Sequence, residues 1–234
     1  MKETLTKKRF PAFAIVPTLL SIASNFLFYS IPQMLCGGLT HYDFTTAFDH
    51  MVPVWPVFTP IYLSFFIVWA VNFVLVGYQG KESFYRFLTA DFVGRIICAA
   101  FFVLLPTTNI RPQVADADLF CRMLNNVVYG SDAATNLFPS VHCFVSWLCF
   151  LGVSDKASPM PRWYKAALGV YVVLILIATQ VLKQHVIADL IAAVALAYGV
   201  LALNKRLDAY KVTERVCEWL NSLLHIGRAK QETR

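Results

Sequence analysis

Runs of about twenty mostly apolar residues limit what this chain can fold into. A run of that length matches the hydrocarbon thickness of a bilayer, and as a helix it satisfies its own backbone hydrogen bonds. The chain contains about six: residues 13–35, 58–78, 87–105, 138–153, 166–182 and 186–203. The fourth is short, but Pro139 suits a first helical turn and Cys149-Phe150-Leu151 carries the apolar stretch onward. With 58% hydrophobic residues, 15% charged residues and a mean hydropathy of +0.58, the chain is more apolar than a soluble domain can bury. The expected fold is an all-α polytopic membrane protein of about six transmembrane helices. It reads as a single membrane domain over 1–234, with a core at 13–203 and a cytoplasmic amphipathic tail at 204–234. The first run is too long for a signal-peptide core and has no small-residue cleavage site before Cys36-Gly37-Gly38, so it reads as a retained helix.

Lysine and arginine placement predicts the orientation. Lys2, Lys7, Lys8 and Arg9 precede the first span, Lys81 and Arg86 separate the second from the third, and Lys156, Arg162 and Lys165 separate the fourth from the fifth. The tail adds Lys205, Arg206, Lys211, Arg215, Arg228, Lys230 and Arg234, while the other side holds Arg111, Arg122 and Lys183. Both termini are therefore expected in the cytoplasm of a multi-pass cell-membrane protein. The net charge of +6 is assigned to anionic membrane lipids, with no nucleic-acid partner.

In the tail, Val212, Val216, Trp219, Leu220, Leu223 and Leu224 recur at helical spacing. They describe either a helix lying on the inner membrane surface or one packed on cytoplasmic loops. Residues 41–60 are too polar to cross and are rich in aromatics and proline, which fits a lid or an interfacial belt. His41, His50, Asp43 and Asp49 lack metal-ligand spacing, so no metal and no cofactor is expected. The six cysteines show neither metal nor disulfide spacing and read as small buried hydrophobes.

The predicted topology brings three polar clusters to one leaflet. Asn109-Ile110-Arg111-Pro112 follows the third span, Pro139-Ser140-Val141-His142 opens the fourth, and Lys183-Gln184-His185 joins the fifth to the sixth. Asp189 lies four residues beyond His185, on the same helical face, where a carboxylate can orient the imidazole and stabilise its charged form. A histidine so held is a competent nucleophile, and a second histidine can protonate a leaving oxygen. Arg111 and Lys183 are expected to meet phosphate, with Ser140 and the amides of the fourth helix adding donors. His185, His142 and Asp189 are the candidate catalytic residues; Arg111, Ser140 and Lys183 are the candidate substrate ligands. Asp91 and Arg95, also four apart, read as a structural ion pair.

These residues resemble the three signature motifs of the type 2 phosphatidic acid phosphatase superfamily: Lys-x6-Arg-Pro, Pro-Ser-Gly-His and Ser-Arg-x5-His-x3-Asp. The match covers roughly residues 104–189. The resemblance implies six helices around a site where His185 attacks phosphorus, Asp189 supports it and His142 is the acid. The chain departs from the motifs at Leu104, where they have lysine, at Val141 for glycine, and at Ala178-Thr179 for Ser-Arg. Leu182-Lys183-Gln184-His185 and Asp49-x3-Pro53-x2-Pro56-x-Phe58 are similar to the branch related to inositol phosphorylceramide synthases, which transfers a head group to a lipid alcohol. The implied function is a metal-independent lipid phosphatase or phosphotransferase acting through a phosphohistidine at the outer leaflet, on a lipid phosphate substrate.

Two alternatives belong to other classes. A noncatalytic membrane scaffold with a decayed site would account for the missing motif cations. A small-anion or lipid transporter would place polar residues near the bilayer midplane, often in repeated halves; here they fall at span ends, and no repeat is visible.

Overall fold

The computed structural model describes residues 10–155 and 158–226. Lys2, Lys7, Lys8, Arg9, Lys156, Arg228, Lys230 and Arg234, part of the orientation argument, lie outside the described residues. Helix α1 covers Ile15–Cys36. A two-residue strand β1 (Tyr42–Asp43) and a short helix α2 (Ala47–Met51) follow it. Then come α3 (Thr59–Leu63), α4 (Phe65–Gly77) and α5 (Lys81–Leu104). Strand β2 (Thr107–Thr108) pairs in parallel with β1, and α6 (Leu119–Met123) runs on into a π-helical turn at Leu124–Tyr129. The chain continues through α7 (Val141–Ser154), α8 (Arg162–Val181), α9 (Ile187–Leu207) and α10 (Tyr210–Leu223).

Among the described residues, five helical stretches are long and apolar enough to cross a membrane: Ala12–Cys36, Pro56–Gly77, Lys81–Leu104, Arg162–Val181 and Ile187–Leu207. The sixth, α7, has 14 residues. At 1.5 Å per residue it rises only about 21 Å, short of the roughly 30 Å of a hydrocarbon core. Its position explains why this suffices: α7 runs among α4, α5, α8 and α9, with Phe144, Leu148 and Val153 fully buried. A helix walled by protein need not match the lipid thickness. The second stretch is interrupted at Ser64, whose hydroxyl donates to Ile61 O at 2.7 Å and also bonds the Tyr171 hydroxyl at 2.6 Å.

Close approach between α5 and α7 depends on Gly94. The Phe144 ring occupies the space a Cβ there would need. On either side of Gly94 in α5, Asp91 and Arg95 form the expected ion pair, with Arg95 Nε donating to Asp91 Oδ1 at 2.9 Å. Neither is exposed by more than 2%. Ser21 donates to Asp91 Oδ2 at 2.8 Å, Arg95 also donates to Asn25, and its guanidinium lies 5.2 Å from the Trp69 ring centroid. Charges within a span persist when each is paired in this way.

Helix α10 packs on α5 and α1 through Tyr210, Cys217 and Asn221, and Glu218 meets Lys81 at 3.0 Å. Val212, Val216, Trp219 and Leu223 remain exposed on its other side. The tail thus packs on the bundle along one edge and keeps an apolar stripe outward. All six cysteines are buried and unpaired.

Candidate functional site

The ends of α5 and α8 and the starts of α7 and α9 meet at one end of the bundle. The three sequence clusters come together there. Asn109 Nδ2 donates to Lys183 O at 2.9 Å, Arg111 Nη2 to Gln184 Oε1 at 3.1 Å, and Ser140 N to Asp189 O at 3.3 Å. The His142 and His185 ring centroids are 6.0 Å apart.

His185 sits in the turn between α8 and α9. Its amide and that of Gln184 both donate to Thr179 O, at 3.1 and 3.0 Å. Its Nδ1 donates to Asp189 Oδ2 at 3.2 Å, and the Val186 amide donates to the same oxygen at 3.1 Å. One carboxylate, 1% exposed, therefore caps α9 and orients the imidazole. With Nδ1 committed to Asp189, Nε2 is the nitrogen left for chemistry.

His142 occupies the first turn of α7. The Tyr62 hydroxyl lies 3.2 Å from its Nε2, and the Tyr62 and Phe65 ring centroids are 4.8 and 4.9 Å from its own. Tyr62 was not foreseen from sequence: a tyrosine inside an apolar run carries no signal of its own.

The candidate ligands have other partners. Ser140 is fully buried and is the N-cap of α7, its hydroxyl accepting from Cys143 N at 3.2 Å. Arg111 donates to the carbonyls of Asp132 and Ala133 as well as to Gln184, and its guanidinium lies 5.1 Å from the Tyr129 ring centroid. Burial pushes the Tyr129 phenol up to about 12, with Arg111 opposing. Lys183 Nζ donates to Asp49 O and Val52 O, both at 2.6 Å. Desolvation moves its pKa below the usual lysine value, partly offset by Asp49. At the motif positions that depart from the family, Leu104 is 81% exposed on the outside of the bundle, and Thr179 is buried and donates to Leu176 O at 2.7 Å.

A cavity of about 560 Å³ opens beside His185, lined among others by Asp43, Asp49, His50, Asn109, Gln180 and Lys183. Part of the segment read as a lid or an interfacial belt, residues 43–54, forms one wall. Asp49, given no chemistry from sequence, is part of it. Its carboxylate accepts from Thr46 N and Oγ1 at 2.8 and 2.6 Å and, across the cavity wall, from Ile187 N at 2.8 Å. Thr46-x-x-Asp49 is a capping pattern that sequence could have revealed; the contact with Ile187 is not. Among the described residues, no group of three or more His, Cys, Asp or Glu side chains stands where it could hold a metal ion.

The fold and this site define a helical multi-pass membrane protein with a carboxylate-held histidine facing a second histidine at one bundle end. A profile of the PAP2 superfamily matches residues 46–203, and the chain belongs to that superfamily. Neither the curated proteins nor the solved structures contain a match to the chain.

Proposed function

We propose that the protein is a metal-independent lipid phosphatase or phosphotransferase that works through a phosphohistidine. The observation that carries this reading is the His185–Asp189 contact of 3.2 Å with the His142 ring 6.0 Å away. His185 Nε2 attacks phosphorus, the N–P bond forms as the P–O bond to the leaving group breaks, and His142 gives that oxygen its proton. Asp189 stabilises the positive charge His185 acquires. Water or an alcohol then attacks the phosphohistidine, returns a proton to His142 and frees Nε2.

The site is assigned to the outer leaflet of the cell membrane, with cytoplasmic termini. Arg111, Arg122 and Lys183 belong to the site end of the chain's topology, whereas Lys81, Arg86, Arg162, Lys165, Lys205, Arg206, Lys211 and Arg215 belong to the opposite end. The site lacks two of the motif cations, since Leu104 and Thr179 stand at their positions. A phosphodiester with one negative charge fits such a site better than a dianionic monoester, since each missing cation removes Coulomb attraction in a partly desolvated cavity. Transfer to a lipid hydroxyl follows as the favoured second step.

The test offers purified protein, with chelator, labelled phosphatidic acid, a polyprenyl pyrophosphate and phosphatidylinositol, each with and without diacylglycerol or ceramide. Turnover that survives the chelator and gives a labelled lipid product is expected. Rapid release of phosphate from phosphatidic acid with no lipid product would make the protein a plain phosphatase. No turnover by folded protein on any substrate would favour a noncatalytic scaffold.

A further inference from the structure

We propose that Asp49 and Lys183 are positioning residues that clamp the nucleophile turn from outside, and that Lys183 is not a phosphate ligand. The inference rests on His185 being the nucleophile. His185 lies midway between Lys183 and Ile187, and both of these are tied to the segment that precedes α3. Lys183 has a φ of +51°, a left-handed conformation that a side chain with a Cβ adopts rarely, so external contacts must hold it. Those contacts are present. Its ammonium bridges Asp49 O and Val52 O at 2.6 Å each, and its own carbonyl accepts from Asn109 at 2.9 Å.

On the other side of His185, the Ile187 amide is the first of α9 and donates to Asp49 Oδ1 at 2.8 Å. Asp49 is 7% exposed and already caps α2 through Thr46, so one buried carboxylate joins the starts of α2 and α9, reaching the Ile187 amide 138 residues along the chain. Trp55 N, donating to Val181 O at 3.0 Å, fixes the register of the two segments just before the turn. Residues 183 and 187 are thus both held by Asp49 and Val52, and His185 between them has its own anchors, its amide on Thr179 O and its imidazole on Asp189. A lysine directed to two carbonyls gives up its phosphate role for a structural one. The distinction matters because a misplacement of about 1 Å at a reacting atom costs about a hundredfold in rate.

The experiment compares Asp49→Ala, Asp49→Asn and Lys183→Met in the full-length protein. It reads steady-state kinetics on whichever phosphoester the wild type turns over, and hydrogen exchange of peptides covering residues 179–190. Asp49→Ala and Lys183→Met should each lower kcat by about 10–100-fold with KM nearly unchanged. Both should speed exchange across 183–187 and leave α8 as protected as in the wild type. Asp49→Asn keeps an oxygen for the Ile187 amide but gives up the acceptor for Thr46 N, and should recover part of the rate and of the protection. A double Asp49→Ala, Lys183→Met variant should lose less than the two single losses combined, because both disable one clamp. If Lys183→Met instead raised KM with kcat intact, lysine would be a phosphate ligand and the proposal would be wrong. Unchanged exchange at 183–187 in Asp49→Ala would overturn it equally. Should the wild type turn over no phosphoester, the proposed function falls, while exchange still decides whether the clamp exists.

Discussion

Replacing Asp189 with asparagine separates the charge of the His185–Asp189 pair from its geometry. Both contacts, to His185 Nδ1 at 3.2 Å and to Val186 N at 3.1 Å, fall on the same oxygen, Oδ2. An asparagine that places its amide oxygen there keeps both hydrogen bonds and removes only the negative charge. A full positive charge on the imidazole at that separation gains roughly 5 kcal/mol from the carboxylate at an effective dielectric near 20. His185 carries only part of that charge at the transition state, so the loss should be about 2.5–5 kcal/mol, or about 10²–10⁴-fold in kcat. The second oxygen, Oδ1, is buried and has no hydrogen-bond partner. An amide nitrogen in its place adds an unpaired buried donor, costing about 1–3 kcal/mol of stability. Turnover on the best lipid substrate gives the rate, and thermal unfolding in detergent gives the stability. If folded Asp189→Asn protein worked within about tenfold of wild type, the charge would not be the function of this residue.

Two further outcomes test the frame around the site. Asp91→Ala strands Arg95, which is 2% exposed, and should lower stability by about 3–5 kcal/mol, while a double replacement of Asp91 and Arg95 by apolar residues should cost less. Detergent unfolding showing no loss for Asp91→Ala would remove the ion pair from the account of the fold. For topology, Arg122→Cys and Lys205→Cys both place a thiol at an exposed position, against native cysteines that are all buried. An impermeant maleimide should label Arg122→Cys in intact cells and Lys205→Cys only after permeabilisation; the reverse pattern would invert the protein and put the site on the cytoplasmic face.

Features that depend on near neighbours along the chain were legible before the fold was known. Span lengths follow from apolar runs, and Asp91 with Arg95 follows from four-residue spacing on a helix, because 3.6 residues per turn makes those side chains adjacent; His185 with Asp189 has the same spacing, but His185 lies in the turn before α9 and meets Asp189 where that carboxylate caps the helix. Orientation bias and motif order placed the clusters at residues 109–112, 139–142 and 183–189 on one side, and the structure brings them into hydrogen-bond contact. What those residues touch was decided only by tertiary packing. Arg111, Lys183 and Ser140 read as phosphate ligands from residue type alone. In the folded chain, carbonyls from residues 49, 52, 132 and 133 also accept from the two cations, and the Ser140 hydroxyl also caps the start of α7. Tyr62 reaches His142 across 80 residues, and Asp49 reaches Ile187 across 138. No local period encodes either distance. The tail shows the same division: helical spacing marked α10, but its contact face of Tyr210, Cys217 and Asn221 was set by the surface of α5 and α1. A sequence records which groups a chain carries and their helical phase. Which of them remain free for a substrate depends on the carbonyls and helix ends that folding brings beside them.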